Sequence, residues 1–258
     1  MMNALILAKK DARSYWNSWV GFFIAFFFFM IAGLFFYMLL VSYAKISMDA
    51  SGGTYESIQG IGLTRFLYGS FFLNMGALLI FFVPLMSMRA FAEERKYQTL
   101  ELLFTYPFSD FDVVWGKFLG LVWFFETLIV PTALYVLLVH WLGGKMELMA
   151  VFVGYLGFWM LGNAYLALGL FVSAVSENQV VSAIVTFACL VVFWVLDWVS
   201  GITDGSWAHF FSTLSPLTHY RDFTLGILDL NHVVYFAFFY FYFLFLTLRA
   251  VETRNWKG

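Results

Sequence analysis

The chain of 258 residues is 62% hydrophobic, 22% aromatic and only 12% charged, with a formal net charge of −2 and a mean hydropathy of +0.83. Soluble globular chains are about 45–50% apolar and about 25% charged, and a soluble core of this length could not cover 34 Phe and 10 Trp without leaving large apolar patches. An ordinary soluble enzyme, a secreted disulfide scaffold and a disordered chain are therefore excluded, and an integral membrane protein remains.

Charges punctuate the chain, and the gaps between them define its elements. Uncharged runs extend from Ser14 to Ala44, Phe66 to Met88, Leu148 to Ser176, Asn178 to Leu196 and Leu230 to Leu248, and the run from Phe118 to Gly144 is interrupted only by Glu126. A helix crossing the apolar layer needs about 20 such residues, so the pattern predicts six spans, near 20–42, 66–88, 116–140, 148–174, 179–198 and 231–250. The runs are continuously apolar rather than alternating, which excludes a transmembrane barrel. Lys9, Lys10 and Arg13 precede the first run, but it is longer than the 7–15 residues or so of a signal-peptide core and is expected to stay as an anchor.

Between the first two spans, Lys45 to Arg65 is a Gly/Ser-rich loop. With the N-terminus inside, Lys9, Lys10, Arg13, Arg89, Arg95, Lys96, Lys117, Arg249, Arg254 and Lys257 share one side, and Lys45, Arg65, Lys145 and Arg221 the other. This bias predicts both termini in the cytoplasm. Trp16, Trp19, Trp115, Trp141, Trp198 and Trp256 fall near span ends, as an interfacial belt requires.

The segment after the second span carries most of the clustered charge. Leu100, Leu103 and Phe104 at i, i+3 and i+4 form one apolar face of a short helix, with Glu93, Glu94, Arg95, Lys96 and Glu101 on the polar side. Pro107 ends that helix, and Ser109 with Asp112 three residues on reads as a capping box for the third span. Such a helix either lies in the headgroup layer or binds a protein. Its mixed acidic and basic face favours a protein, because surface-bound helices favour Lys and Arg.

Further along, Glu126 is the one charge well inside a predicted span. It reads either as a proton or substrate group or as a hydrogen-bonded Glu holding helices together. Gly116-x-x-x-Gly120 and Gly169-x-x-x-Ser173 allow close helix approach but specify no particular interface. Cys189, alone in an apolar run, reads as a small buried hydrophobe. Asp197 is a lone carboxylate near a helix end, and the Gly201 to Gly205 segment reads as a turn. His140, His209, His219 and His232 are scattered, never at i, i+4, and are expected to make interfacial hydrogen bonds rather than a metal site. The chain lacks the G-x-x-x-x-G-K-[ST] phosphate loop, since neither Gly116-Lys117 nor Gly144-Lys145 carries the upstream Gly or the following Ser/Thr.

The segment Arg89-x-x-Ala92-Glu93-Glu94, then Thr99-Leu100-Glu101-Leu102-Leu103, Thr105, Pro107, Ser109 and Gly116-Lys117 resembles the first cytoplasmic loop of ABC-2-type transporter permeases. Leu214-Ser215-Pro216, Tyr220-Arg221-Asp222-Phe223, Gly226, Asp229, Val233 to Phe236 and the ending Arg249 to Trp256 resemble the gliding-motility-associated subgroup. The similarity covers nearly the whole chain. Tyr97-Gln98 departs from it, standing where the family usually has a Gly before the Thr.

The resemblance implies an all-α, single-domain permease with an amphipathic N-terminal helix at about 3–16, a coupling helix at 91–106 and an outer re-entrant region at 203–229 carrying Ser215, Pro216, Arg221, Asp222 and Phe223. Arg89, Glu93, Glu94, Thr99, Leu100, Glu101, Leu103, Phe104 and Pro107 would couple it to a separate ATPase subunit that binds ATP and Mg, leaving this chain without a cofactor or a catalytic residue. The other implied partners are a second permease chain, identical or not, an accessory extracytoplasmic membrane protein and the lipid of the inner membrane, with no nucleic acid. The function implied is ATP-driven export or gliding motility. Two other classes stay open: a proton-coupled secondary carrier using Glu126, and an intramembrane enzyme using Glu126, Asp197 or His219.

Overall fold

The computed structural model describes residues 2–50, 62–96, 109–203 and 205–255; these are helical, with no strand among them. Helix α1 (Met2–Trp16) precedes α2 (Trp19–Ala50). A π-helical turn at Thr64–Gly69 leads into α3 (Ser70–Ser87), and the short α4 (Ala92–Lys96) follows. Next come α5 (Asp110–Ile129), a 3-10 turn at Val130–Ala133, α6 (Leu134–Trp141), α7 (Leu148–Val175) and α8 (Gln179–Ile202). Two short helices, α9 (Ser206–Leu214) and α10 (Pro216–Thr224), precede α11 (Leu230–Asn255).

Among the described residues, six helical stretches are long and apolar enough to cross a membrane: Trp19–Met48, Thr64–Glu94, Asp110–Trp141, Leu148–Val175, Gln179–Ile202 and Leu230–Thr253. The third is not one continuous α-helix. Pro131 has no N–H to give the ladder, and the chain passes through the 3-10 turn before resuming as α6.

The fourth span, α7, is the core. Its most apolar window is 83% buried, against 17% for those of α8 and α11 and 28% for that of α2. Glycines spread along the helix let neighbouring side chains reach its backbone: a Cβ would lie 2.5 Å or less from Phe72 at Gly154, Phe223 at Gly157, Phe125 at Gly162 and the Ser87 hydroxyl at Gly169. Between apolar helices in an apolar medium, close van der Waals packing of this kind replaces the hydrophobic drive.

Tyrosine hydroxyls bridge elements by donating to backbone carbonyls, as in Tyr15 to Met86 O (2.8 Å), Tyr220 to Phe72 O (2.8 Å) and Tyr240 to Met160 O (2.7 Å). The Ser109 hydroxyl accepts from Asp112 N at 3.1 Å and donates to Asp112 Oδ2 at 2.8 Å, closing the first turn of α5. Asn178 caps α8 in the same way, its Oδ1 accepting from Val181 N at 2.9 Å.

Candidate functional site

Helix α1 folds back after Trp16 and lies along the start of α5. Ala4, Leu7, Ala8 and Tyr15 are buried, while Lys9, Lys10 and Arg13 stay exposed. The seat is the Gly116-x-x-x-Gly120 pair, where a Cβ would come within 2.9 Å of Ala4 O at Gly116 and of Asp11 Cβ at Gly120. From sequence that spacing specifies no particular interface; in the structure the missing side chains let α1 approach the third span's backbone.

Lys117 stands between the two glycines and is only 3% exposed. Its ammonium meets Glu94 Oε1 at 2.8 Å and Asp11 Oδ2 at 3.6 Å, and the Phe91 ring lies 5.1 Å away. One buried cation thus ties α1, α4 and α5 together. An ammonium withdrawn from water costs several kcal/mol unless it is compensated, which is why both carboxylates converge on it. In the sequence Lys117 reads only as one of the inner-side charges and as part of the Gly116-Lys117 motif; the two glycines account for its burial, because they bring α1 close enough to cover it.

The same end is bound to the rest of the bundle. Arg89 Nε pairs with Glu93 Oε2 at 3.4 Å, and its Nη1 donates to the Ser18 hydroxyl at the α1–α2 corner. The backbone N–H groups of Phe91 and Ala92 donate to Ser173 Oγ on α7, at 3.1 and 3.2 Å. Between α1 and the Arg89–Glu94 segment lies a cavity of about 140 Å³ with Lys10, Asp11, Arg89, Glu93 and Lys117 on its wall. Burial raises the Tyr15 hydroxyl well above the ordinary tyrosine pKa, so at this corner it is a neutral donor.

Of the coupling residues expected from sequence, Arg89, Glu93 and Glu94 come together here; Thr99, Leu100, Glu101, Leu103, Phe104 and Pro107 lie outside the described residues. Asp11, Lys117 and Ser173 carry the connections without having been read as site residues. Gly169-x-x-x-Ser173 was the visible signal for Ser173, and an acidic residue on the α1 face opposite its Lys/Arg face was the signal for Asp11.

At the other end of the bundle, Asp197 is not alone. Buried to 6% exposure near the end of α8, it accepts from Arg221 Nη2 at 2.7 Å and from the Thr218 hydroxyl at 3.1 Å. Phe223 packs against Gly157 of α7, Pro216 opens α10, and Ser215 is buried. Asp222 Oδ2 lies 2.7 Å from His232 Nε2, and His219 Nδ1 lies 2.7 Å from His232 Nδ1. Residues 13 apart in sequence meet because the chain reverses at Gly226, whose φ of +79° favours glycine. Glu126 is half-buried and accepts from Trp159 Nε1 at 3.3 Å. Glu126, Asp197 and His219 therefore bond separate partners. Among the described residues no group of three or more His, Cys, Asp or Glu is placed to hold a metal ion.

The fold defines a polytopic membrane protein whose N-terminal amphipathic helix and charged post-second-span segment are clasped to its third span. The chain belongs to the ABC-2 family transporter proteins, whose family model matches residues 5–250. No curated protein matches it.

Proposed function

We propose that the chain is the permease subunit of an ATP-driven transporter, inserted in the cytoplasmic membrane with both termini inside, pairing with a second permease chain and driven by a separate ATPase subunit. Membership of the ABC-2 transporter family supports the class, and ten Lys and Arg against four across the spans support the orientation. The observation that carries the coupling is the Lys117 clasp, where Glu94 of the loop, Asp11 of α1 and the third span meet on one ammonium.

The amphipathic segment after Arg89, with Leu100, Leu103 and Phe104 on one face, docks on the ATPase. Closure of two ATPase subunits on ATP and Mg moves that segment. The clasp passes the displacement to α1 and to the third span as one body rather than letting the loop flex, as a coupling element with two discrete arrangements requires. Placement in the gliding-motility-associated subgroup rests on the C-terminal motif from Leu214 to Phe236 and on the ending Arg249 to Trp256.

The test is co-expression with the genes that neighbour its own, asking whether an ATPase subunit purifies with this chain. Co-purification is expected for the natural chain, with loss on Leu103→Asp; Glu94→Arg is expected to retain membrane insertion but lose stimulation of ATP hydrolysis. Unchanged co-purification and unchanged stimulation in both variants would overturn the docking role. Transport that continues with the ATPase absent and stops on Glu126→Gln would instead establish the carrier reading.

A further inference from the structure

We propose that His219 and His232 form a binding site for a single proton, and that its occupancy holds α10 against the start of α11. The inference rests on hydrogen-bond bookkeeping and does not depend on the coupling scheme. His232 Nε2 faces Asp222 Oδ2 at 2.7 Å, and a carboxylate only accepts, so that nitrogen carries a hydrogen. His219 Nε2 faces the Thr213 carbonyl at 3.1 Å, which also only accepts, so it too carries one. The two Nδ1 atoms are 2.7 Å apart, a distance that accommodates one shared hydrogen. With none, two lone pairs face each other; with two, the hydrogens collide.

The two rings therefore hold three protons between them, making one imidazolium and one neutral imidazole. The positive charge belongs on His232, which is next to the ionised Asp222, while His219 stays neutral as the Nε2–H tautomer and accepts the Nδ1–H of His232. His219 also stacks on the Tyr235 ring at a centroid distance of 3.9 Å, and the Tyr235 hydroxyl donates to Leu214 O at 2.8 Å. The site is thus built from the α9–α10 corner, α10 and the first turns of α11.

Charged and titratable groups stand on the elements packed around the pair. On α9, His209 Nδ1 lies 3.1 Å from the Thr213 hydroxyl. On α10, Arg221 is already neutralised by Asp197 of α8. On α7, Tyr165 is within electrostatic reach of Tyr235 and Asp197. The π-helical turn contributes Arg65 and Tyr68, and α3 has no Asp, Glu, Lys, Arg or His. Burial lowers the pKa of His219 below the ordinary histidine value of about 6.5; the Thr213 carbonyl and Asp222 oppose that shift, and His232 adds to it. A group with a depressed pKa in the fold contributes its stabilisation above the ordinary value and loses it as the pH falls through the depressed one. Acidification below the ordinary histidine range thus forces the second proton onto His219, breaks the Nδ1 contact and frees α10 from α11.

The test uses the whole chain, ¹⁵N-labelled at histidine, in lipid nanodiscs, with His219→Gln and His232→Gln variants to assign the signals and His140 as internal reference. Near neutral pH one ring of the pair is expected to show imidazolium shifts and the other the neutral Nε2–H pattern, with two titration steps separated by more than the two rings would show independently. In the His232→Gln protein the His219 signal collapses to a single step. Two single, parallel titrations of the pair would overturn the shared proton. Backbone hydrogen exchange over 216–227 supplies the second readout: protection that drops on acidification in the natural chain is expected, and protection independent of pH would overturn the latch. Asp222→Asn, which removes the counter-charge without removing either ring, is expected to shift the onset of release.

Discussion

The Lys117 clasp makes an asymmetric prediction. At 2.8 Å and an effective dielectric constant of about 20, the gross attraction between Lys117 and Glu94 is about 6 kcal/mol. Desolvation of a nearly inaccessible ammonium cancels several kcal/mol of that. The net coupling expected from a Glu94→Gln and Lys117→Met double-mutant cycle is therefore about 2 kcal/mol. The two single changes differ in what they leave behind. Glu94→Gln strands a cation that is 3% exposed, leaving among the described residues the Asp11 carboxylate at 3.6 Å and the Phe91 ring at 5.1 Å to balance it. Lys117→Met leaves two acidic side chains that are 18% and 20% exposed on the wall of the polar cavity, so their charge is less completely withdrawn from water than the ammonium. Glu94→Gln should thus destabilise more than Lys117→Met, and the double variant should recover part of the loss. Thermal unfolding of the four proteins in one nanodisc composition reads this as a non-additivity of about 4–8 °C. Additivity within about 0.5 kcal/mol, or a larger loss for Lys117→Met, would refute the clasp.

Gly120→Leu should unseat α1, because even its Cβ would stand 2.9 Å from Asp11 Cβ; a loss of about 1–3 kcal/mol is expected, with new protease sensitivity near residue 17. Gly201→Ala is the control: its Cβ meets nothing within 4 Å, and in a helix it should be neutral or stabilise by up to about 1 kcal/mol. Ser173→Ala leaves the Phe91 and Ala92 N–H groups without the hydroxyl they share, at a cost of about 1–3 kcal/mol, and backbone hydrogen exchange at residues 91 and 92 should rise selectively. Unchanged exchange there would mean that the segment is not held through α7.

How legible the chain was in advance follows from what periodicity and composition encode. The six spans announce themselves because a helix in lipid must be apolar over its whole length, a property of each segment alone. The α5 cap was legible for the same local reason, Ser109 and Asp112 being three residues apart. The break at Pro131 was equally local, yet an unbroken apolar run masked it. What could not be read is the rotation of one helix against another. Gly116, Lys117 and Gly120 look like a charge between two small residues until α1 is laid across them, and only then does Asp11 become the second counter-ion.

The histidines show the same limit more sharply. A spacing rule written for one helix discards His219 and His232, since 13 residues and a reversal at Gly226 separate them. The information that joins them lies in packing: Phe223 seated on Gly157 fixes the face α10 presents, and the reversal then decides which ring of α11 it meets. In this chain the polar connections at both ends are set by where α7 and α5 have no side chain. A glycine on a buried helix face is therefore the sequence feature to follow when searching for the charges that close a membrane bundle.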